Sequence, residues 1–244
     1  MSTDRTTPAW GLLAIAAALV LSAFIAAGAA VKVKRAADAI TVTGSAKRPI
    51  RSDFIVWRGT VAGQQPSLAE SADELERYVT RTRAFLAAKG IPDSAITWRA
   101  VETMPMPEIS PSGRETGRIY AYRLQRMFEV RSPDVDRIAQ IAQSTGEVIR
   151  EGVPLTAFPP EYLFTRLTEV RTEMLAEATK DARTRAEAIA ESAGSGIGPV
   201  REARMGVFQI TPRHSTEVSD YGINDVSSVD KDITAVVRVT FAVD

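Results

Sequence analysis

The chain contains no cysteine, and its 244 residues include a single histidine, His214. The first absence removes disulfides, thiol nucleophiles and thiolate metal sites together. The second removes any metal centre built mainly from imidazoles. Lack of cysteine is compatible with an oxidising compartment without demonstrating one. An excess of charge is missing too. Thirty Lys and Arg balance thirty Asp and Glu, which argues against nucleic acid as the main partner. Twenty-four of the thirty basic residues are arginine; with no acidic deficit they read as solvated helix faces, not as a phosphate-binding surface. What remains is ordinary. Apolar residues make up 45% and charged residues 25%, enough for a sizeable core in one domain or in two small ones.

One apolar run stands apart. Residues 9–31, AWGLLAIAAALVLSAFIAAGAAV, carry no charge, and about 20 apolar residues suffice to span a bilayer. Asp4 and Arg5 precede the run, Lys32, Lys34 and Arg35 follow it, and Trp10 sits where an interfacial anchor belongs. The run predicts a transmembrane signal anchor over 9–31, with the lipid bilayer as partner and a short charged linker at 32–38. Ala27-Gly28-Ala29 has the small residues of a secretory cleavage site, so release after cleavage near Ala29 is the alternative. A length beyond the usual h-region of about 7–15 residues favours the anchor. Charge leaves the orientation open, because the basic residues after the span and Arg5 before it pull in opposite senses.

Beyond the anchor, strands are expected at 40–44, 53–63, 95–103, 118–131, 153–164, 199–210 and 232–243; period-two alternation marks 40–44 and 232–243, and 53–63 carries apolar side chains on both faces, as a strand interior to a sheet does. Pro159 and Pro160 place the strand at 153–164 at an edge or on a bulge. A capping box, Ser67 to Glu70, opens a helix striped by Leu68, Ala72, Leu75, Val79 and Leu86 and closed by Gly90 and Pro92. Ser132 as N-cap and Pro133 at N1 open a second helix, to about Ser144. The longest helical signal runs from Thr165 to Gly194. Its stripe is Leu167, Val170, Met174, Ala178, Ala182, Ala186, Ile189 and Ala193, and the small side chains let another layer approach closely. Thr165 is its expected N-cap and Gly194 its αL C-cap. Long loops are expected at 104–117 and 211–231. Both halves read strand, helix, strand, long loop, strand. The fold class is therefore α+β: two βαββ-like units, about 39–131 and 132–244, with antiparallel-rich sheets packed by helices.

Three segments resemble the SIMPL domain family, long a domain of unknown function. They are ITVTGSA at 40–46, LAAKGIPDSAIT at 86–97 and AEATKDARTRAEAIAESAGSGIGPV at 176–200. The last is similar to the family's alanine-rich helix with its Asp-Ala-Arg and Ala-Glu pairs and following Gly-x-x-Gly-x-Val. One departure is Gly44-Ser45-Ala46-Lys47, where the family often has a Gly-x-Gly step. The likeness covers about 39–243, and its motifs are those of packing and turns. It implies a bacterial envelope protein, either exported or anchored in the inner membrane by a single pass, with residues 1–8 in the cytoplasm and the domain at 39–244 in the periplasm. It also implies a tendency to form homo-oligomers and a loosely defined link to stress protection. Animal proteins resembling this domain act as adaptors in kinase signalling, a role the anchor argues against here.

No catalytic, cofactor-binding or metal residue is expected. His214 has Ser215, Glu217 and Asp220 nearby, but nucleophilic triads converge in space and not by adjacency in a loop, so a solvated histidine is the stronger reading and a hydrolase the weakest of the functional ones. Gly194 to Gly198 follows a helix and cannot cradle a phosphate at a helix N-terminus. Asp181–Arg185 and Arg183–Glu187 are i,i+4 pairs of a solvated face. Asp230 and Asp232 flank Lys231 without the ligand spacing of a calcium loop. Tyr120 and Tyr122 share a strand face and read first as packing residues, then as a ligand platform. The functional expectation is a non-enzymatic, membrane-anchored, self-associating envelope protein. The alternative is a module binding a small molecule or peptide through the loops 104–117 and 211–231.

Overall fold

A computed structural model describes residues 14–26 and 38–244. Helix α1 covers residues 14–26 and is exposed throughout. At about 1.5 Å per residue its described part is some 20 Å long, and among the described residues no helix is long and apolar enough to cross a membrane. The flanks of the expected span, 9–13 and 27–31, lie outside the described residues, as does the linker up to residue 37.

The remaining elements follow in the order β1 (Ala39–Arg51), β2 (Phe54–Gln65), α2 (Leu68–Ala88), β3 (Ile96–Ile109), β4 (Glu115–Ser132), α3 (Val135–Gln143), α4 (Gly146–Arg150), β5 (Leu155–Ala157), β6 (Glu161–Leu163), α5 (Leu167–Ser192), β7 (Ile197–Met205), β8 (Gln209–Pro212), β9 (Ile223–Asn224) and β10 (Asp230–Val243). They form two sheets, ordered β1-β10-β8-β9 with β7 also on β10, and β3-β4-β2-β5 with β6 also on β2. The class is α+β with antiparallel-rich sheets, as the alternation of the sequence implies.

The chain divides into two compact units that are interleaved, not successive. One holds residues up to Ala46, Arg171–Val207 and Thr234–Asp244; the other holds Lys47–Val170 and Phe208–Ile233. A division at 131/132 does not separate them. Each nevertheless contains a βαββ core with its strands ordered first, third, second. In the larger unit these are β2, α2, β3 and β4, ordered β2-β4-β3. In the smaller they are β1, α5, β7 and β10, ordered β1-β10-β7. The expected first strand of the second repeat, 153–164, has joined β2 instead. Its prolines leave two three-residue strands, β5 and β6, that pair with Gly59–Val61 and Phe54–Val56.

The larger unit packs one face of its sheet beneath α2. Trp57 and Phe128 meet edge to face at 5.2 Å and 79°, surrounded by Ile55, Val61, Leu75, Val79, Leu86 and Val130, with Ile138, Ile141 and Val148 from α3 and α4. Ser67 caps α2 as expected, accepting from the Glu70 amide at 3.3 Å, although Glu70 turns its carboxylate onto the Ser67 hydroxyl and not its amide. The cap of α3 is a correction: Asp134, not Ser132, accepts from the Arg137 amide, while Ser132 Oγ takes the Asp134 amide.

In the smaller unit Met174, Ala178, Ala182, Ala186 and Ala190 are buried. Steps of four trace the shallow ridge of a helix, so the ridge reaches Ala190, and Ile189, expected in the stripe, is half-exposed. Thr165 is not a side-chain cap. Its amide and hydroxyl donate to Asp53. Gly44 of β1 lies under this helix: a Cβ there would fall 2.1 Å from Ala178 O and 2.4 Å from Ala182 N. Gly63 of β2 has the same relation to α2, 3.0 Å from Leu75 N and 3.1 Å from Ser71 O. Both helices also end alike. Gly90 and Gly194 take φ of 79° and 74°, and the following amides, Ile91 and Ser195, return to Leu86 O and Ala190 O at 2.9 Å. These are Schellman closures, which need a residue at ease with positive φ.

Candidate functional site

The stretch 104–117 is not a loop. Pairing continues from Met104 opposite Arg123 to Ile109 opposite Glu115, and only Ser110–Arg114 turns, closed by Ser110 N–H on Arg114 O at 2.8 Å. Pro105 and Pro107 fit because β3 is an edge strand, where a nitrogen that cannot donate is tolerated. The result is a long hairpin. Val101, Met104, Ile109, Ile119 and Tyr120 are about half-exposed along it. Tyr122 instead packs on the core and takes the Ser71 hydroxyl on its carbonyl, so the two tyrosines do not form one platform.

The stretch 211–231 is anchored elsewhere. Val226 O accepts from Tyr162 N–H at 2.8 Å and Val229 O from Ser52 N–H at 2.9 Å, at the start of β2. The hairpin leaves the sheet where Gln65 meets Tyr122, at the end of β2. A strand of this length separates the two by about 35 Å. They do not line one pocket. A depression in the same unit, about 120 Å³, is lined by Gly90, Pro92, Arg131, Asp134 and Arg137 among others. It is smaller than the roughly 300 Å³ at which ordinary ligand pockets begin.

His214 takes φ of 66°, and its backbone amide, not its ring, makes the defining contact, to Asp232 Oδ2 at 3.1 Å. Ser215 Oγ accepts from the Glu217 amide, so the adjacent triad is not assembled. Asp232 also meets Lys47 at 3.0 Å. Burial pushes its carboxyl up, but the His214 amide and Lys47 outweigh this and leave it below the usual range. Asp230 pairs with Arg51 at 3.3 Å. Both aspartates thus carry cationic partners, and among the described residues no group of three or more His, Asp or Glu could hold a metal.

Between them, Lys231 points the other way, into the protein. Its side chain is buried, donating to Tyr162 O at 2.6 Å and to Asp225 O, with the Asp225 carboxylate at 3.8 Å. Burial pulls the Lys231 pKa down, with Asp225 opposing. For Asp225 burial acts upward, yet hydrogen bonds from Ser227 and Ser228 together with the Lys231 charge bring it to about 2. The ammonium thus fastens 225–231 to β6. The only sequence signal was Asp225-Val226-Ser227-Ser228, an Asx-type turn.

A second buried group went unread. Glu129 is buried on β4, accepting from Arg58 Nε and Arg131 Nε, each at 2.6 Å, with Arg58 reaching on to Glu161 at 2.6 Å. Arg58 above all holds the Glu129 carboxyl below its usual range, against burial and with help from Arg131. A carboxylate held this way is a poor proton acceptor at neutral pH. On α5 the expected pairs are present, Asp181–Arg185 at 3.0 Å and Arg183–Glu187 at 2.8 Å. Asp181 does more than sit in solvent. It accepts from the Ser45 amide of β1 at 2.8 Å, the main cause of its lowered pKa. Gly194 to Gly198 is a cap and turn, as read.

Two nested βαββ cores, with buried ion pairs serving as fasteners, define an α+β domain whose recognisable features are those of packing. The family model described as SIMPL, protein of unknown function (DUF541), matches residues 40–241, and the chain belongs to that family. No curated protein matches. Among solved structures, an amidase of the hydantoinase/carbamoylase family from Burkholderia phymatum is similar at 12% identity and a TM-score of 0.25, over 55% of this chain and 33% of that one. The match spans a third of the amidase, and a likeness so slight carries no argument about fold or activity.

Proposed function

We propose that the chain is a non-enzymatic protein of the bacterial envelope, tethered to the inner membrane through residues 9–31, whose domain faces the periplasm and self-associates. A stress-protective role follows from the family resemblance and belongs to the same reading. The observation that carries self-association is the β3–β4 hairpin. Singly scattered exposed apolar residues need no explanation, but here Val101, Met104, Ile109, Ile119 and Tyr120 collect on one arm with an open strand edge. The tether rests on the uncharged run at 9–31 and on the large apolar residues that α1 exposes, among them Leu19, Leu21 and Phe24. The alternative, a binding module built on 104–117 and 211–231, has to work with the two segments at opposite ends of β2.

Light scattering after size exclusion on the full chain in detergent tests the proposal. A discrete multiple of the 26.4 kDa protomer, after subtraction of the micelle, is the expected result. A monomer at about 100 μM, which bounds any association free energy to weaker than about 5.5 kcal/mol, refutes it.

A further inference from the structure

Strand β7 is open along one side. Among the described residues it pairs only with β10, and every residue from Pro199 to Met205 is exposed. Gly206 N–H donates to Val236 O at 2.8 Å. In an antiparallel ladder bonded and non-bonded positions alternate, so the even-numbered residues bond inward to β10, and the amides and carbonyls of Ala203 and Met205 face the open side. Natural edges are commonly protected by proline or by charge. Edge strand β3 carries Pro105 and Pro107. Strand β7 has Pro199 and a register shift before Glu202; beyond them residues 202–205, Glu-Ala-Arg-Met, hold no proline and carry charges of both signs.

The order of those charges selects a partner. We propose that β7 pairs antiparallel with β7 of a second copy about a two-fold axis at Ala203. That register sets Glu202 opposite Arg204 of the other copy, twice by symmetry, with Ala203 facing its own counterpart. An axis at Glu202 or at Arg204 sets like charges face to face, which is destabilising. Within one copy Glu202 and Arg204 already share a face and meet at 2.5 Å, so their side chains are placed to swap partners across the axis. The other free edge of this unit, β1, offers no such match. Residues 39–46, AITVTGSA, are uncharged, and its Ser45 amide is taken by Asp181. Paired β7 strands join the three-stranded β1-β10-β7 cores of two copies, an isologous contact that closes on itself. This places a self-association surface apart from the β3–β4 hairpin, and it rests on the reading that the chain self-associates.

The absence of cysteine makes the test clean. Opposed residues in an antiparallel pair lie about 4.5–5.5 Å apart at Cα, within the range of a disulfide. Full-length Ala203→Cys, oxidised in detergent, should convert to a cross-linked dimer on a non-reducing gel, while Thr172→Cys on α5 should not. Glu202→Arg should weaken dimerisation at least about tenfold, since the two-fold repeats each new repulsion. Adding Arg204→Glu restores opposite charges and should return the dissociation constant to within about threefold of the original. An oligomer in which Ala203→Cys fails to cross-link and Glu202→Arg changes nothing overturns the β7 pairing and leaves self-association standing. A monomeric parent chain overturns both.

Discussion

Gly44→Ala adds one methyl group, and the backbone gives it no room. The new Cβ would lie 2.1 Å from Ala178 O, 2.4 Å from Ala182 N and 2.6 Å from Ala182 Cβ. Two of these are main-chain atoms of α5, which cannot turn aside as a side chain can. To restore ordinary contact the helix must lift by about 1 Å, and a gap of that size forfeits about a quarter to a half of the dispersion well for each atom left behind. Overpacking of this kind costs about 1–3 kcal/mol, occasionally more, and here the upper end applies because Ala178, Ala182, Ala186 and Ser45–Asp181 all depend on the close approach. Alanine also narrows the unfolded ensemble, returning about 0.4–1 kcal/mol. The net expectation is a loss of about 2 kcal/mol, or about 4–8 °C in melting temperature for a chain of this size. Thermal unfolding of the full chain in detergent, followed by circular dichroism, measures it. Gly146→Ala is the control, because nothing lies within 4 Å of its added Cβ, and it should change stability by less than about 1 kcal/mol. If Gly44→Ala melts within about 2 °C of the parent, the close packing of β1 beneath α5 is refuted.

Two further outcomes concern the buried lysine. Lys231→Met leaves the carbonyls of Tyr162 and Asp225 without this donor and the Asp225 carboxylate without its countercharge, and should cost about 3 kcal/mol in urea unfolding; adding Asp225→Asn should recover part of it, and full additivity of the two losses would contradict the coupling. The Asp225 carboxyl is depressed in the folded state from 3.8 to about 2, so its contribution is complete above the unfolded value and disappears as pH falls toward the folded one. Unfolding free energy should therefore drop by about 2 kcal/mol between pH 5 and pH 2 on account of this group. Asp225→Asn should flatten that part of the profile, and an unchanged slope would show that the group does not titrate as described.

Much of the fold was legible because it rests on local chemistry. The capping serine before α2, the glycines that close α2 and α5, and the four-residue spacing of alanines in α5 each dictate backbone geometry within a few residues. The repeat of strand, helix, strand and strand was legible for the same reason. Which strand completes the smaller unit was not. Residues 153–164 follow the first repeat and precede α5, so adjacency favours them, and the competitor lies more than a hundred residues upstream. Two features decide for β1. It is an unbroken strand of 13 residues, and it carries Gly44 where the alanine ridge comes closest, whereas Pro159 and Pro160 cut its rival to pieces that only another strand's edge can hold.

The hairpin at 96–132 was misread for a related reason. Proline is a sound signal against a central strand, and Pro105, Pro107, Pro111 and Gly113 suggested a loop over 104–117. An edge strand has one side on which an absent N–H costs nothing, so the same prolines fit a loop or an edge strand. Buried charges were unreadable on similar grounds. Glu129 sits between Phe128 and Val130 on β4, and it is buried because Arg58 and Arg131, one from β2 and one from its own strand, close over it. Lys231 is flanked by two aspartates that point away from it toward Lys47 and Arg51. An alternating strand sends neighbours to opposite faces, so the acidic residues that seemed to accompany this lysine are the ones it cannot reach. Its true partners are the carbonyl of Tyr162 and the carbonyl and carboxylate of Asp225, set by the pairing of β6 with β2 and by the turn at 225–228. In this chain charges adjacent in sequence, such as Asp230, Lys231 and Asp232, belong to separate contacts, whereas charges two apart on one strand face, Glu129 with Arg131 on β4 and Glu202 with Arg204 on β7, do meet in space.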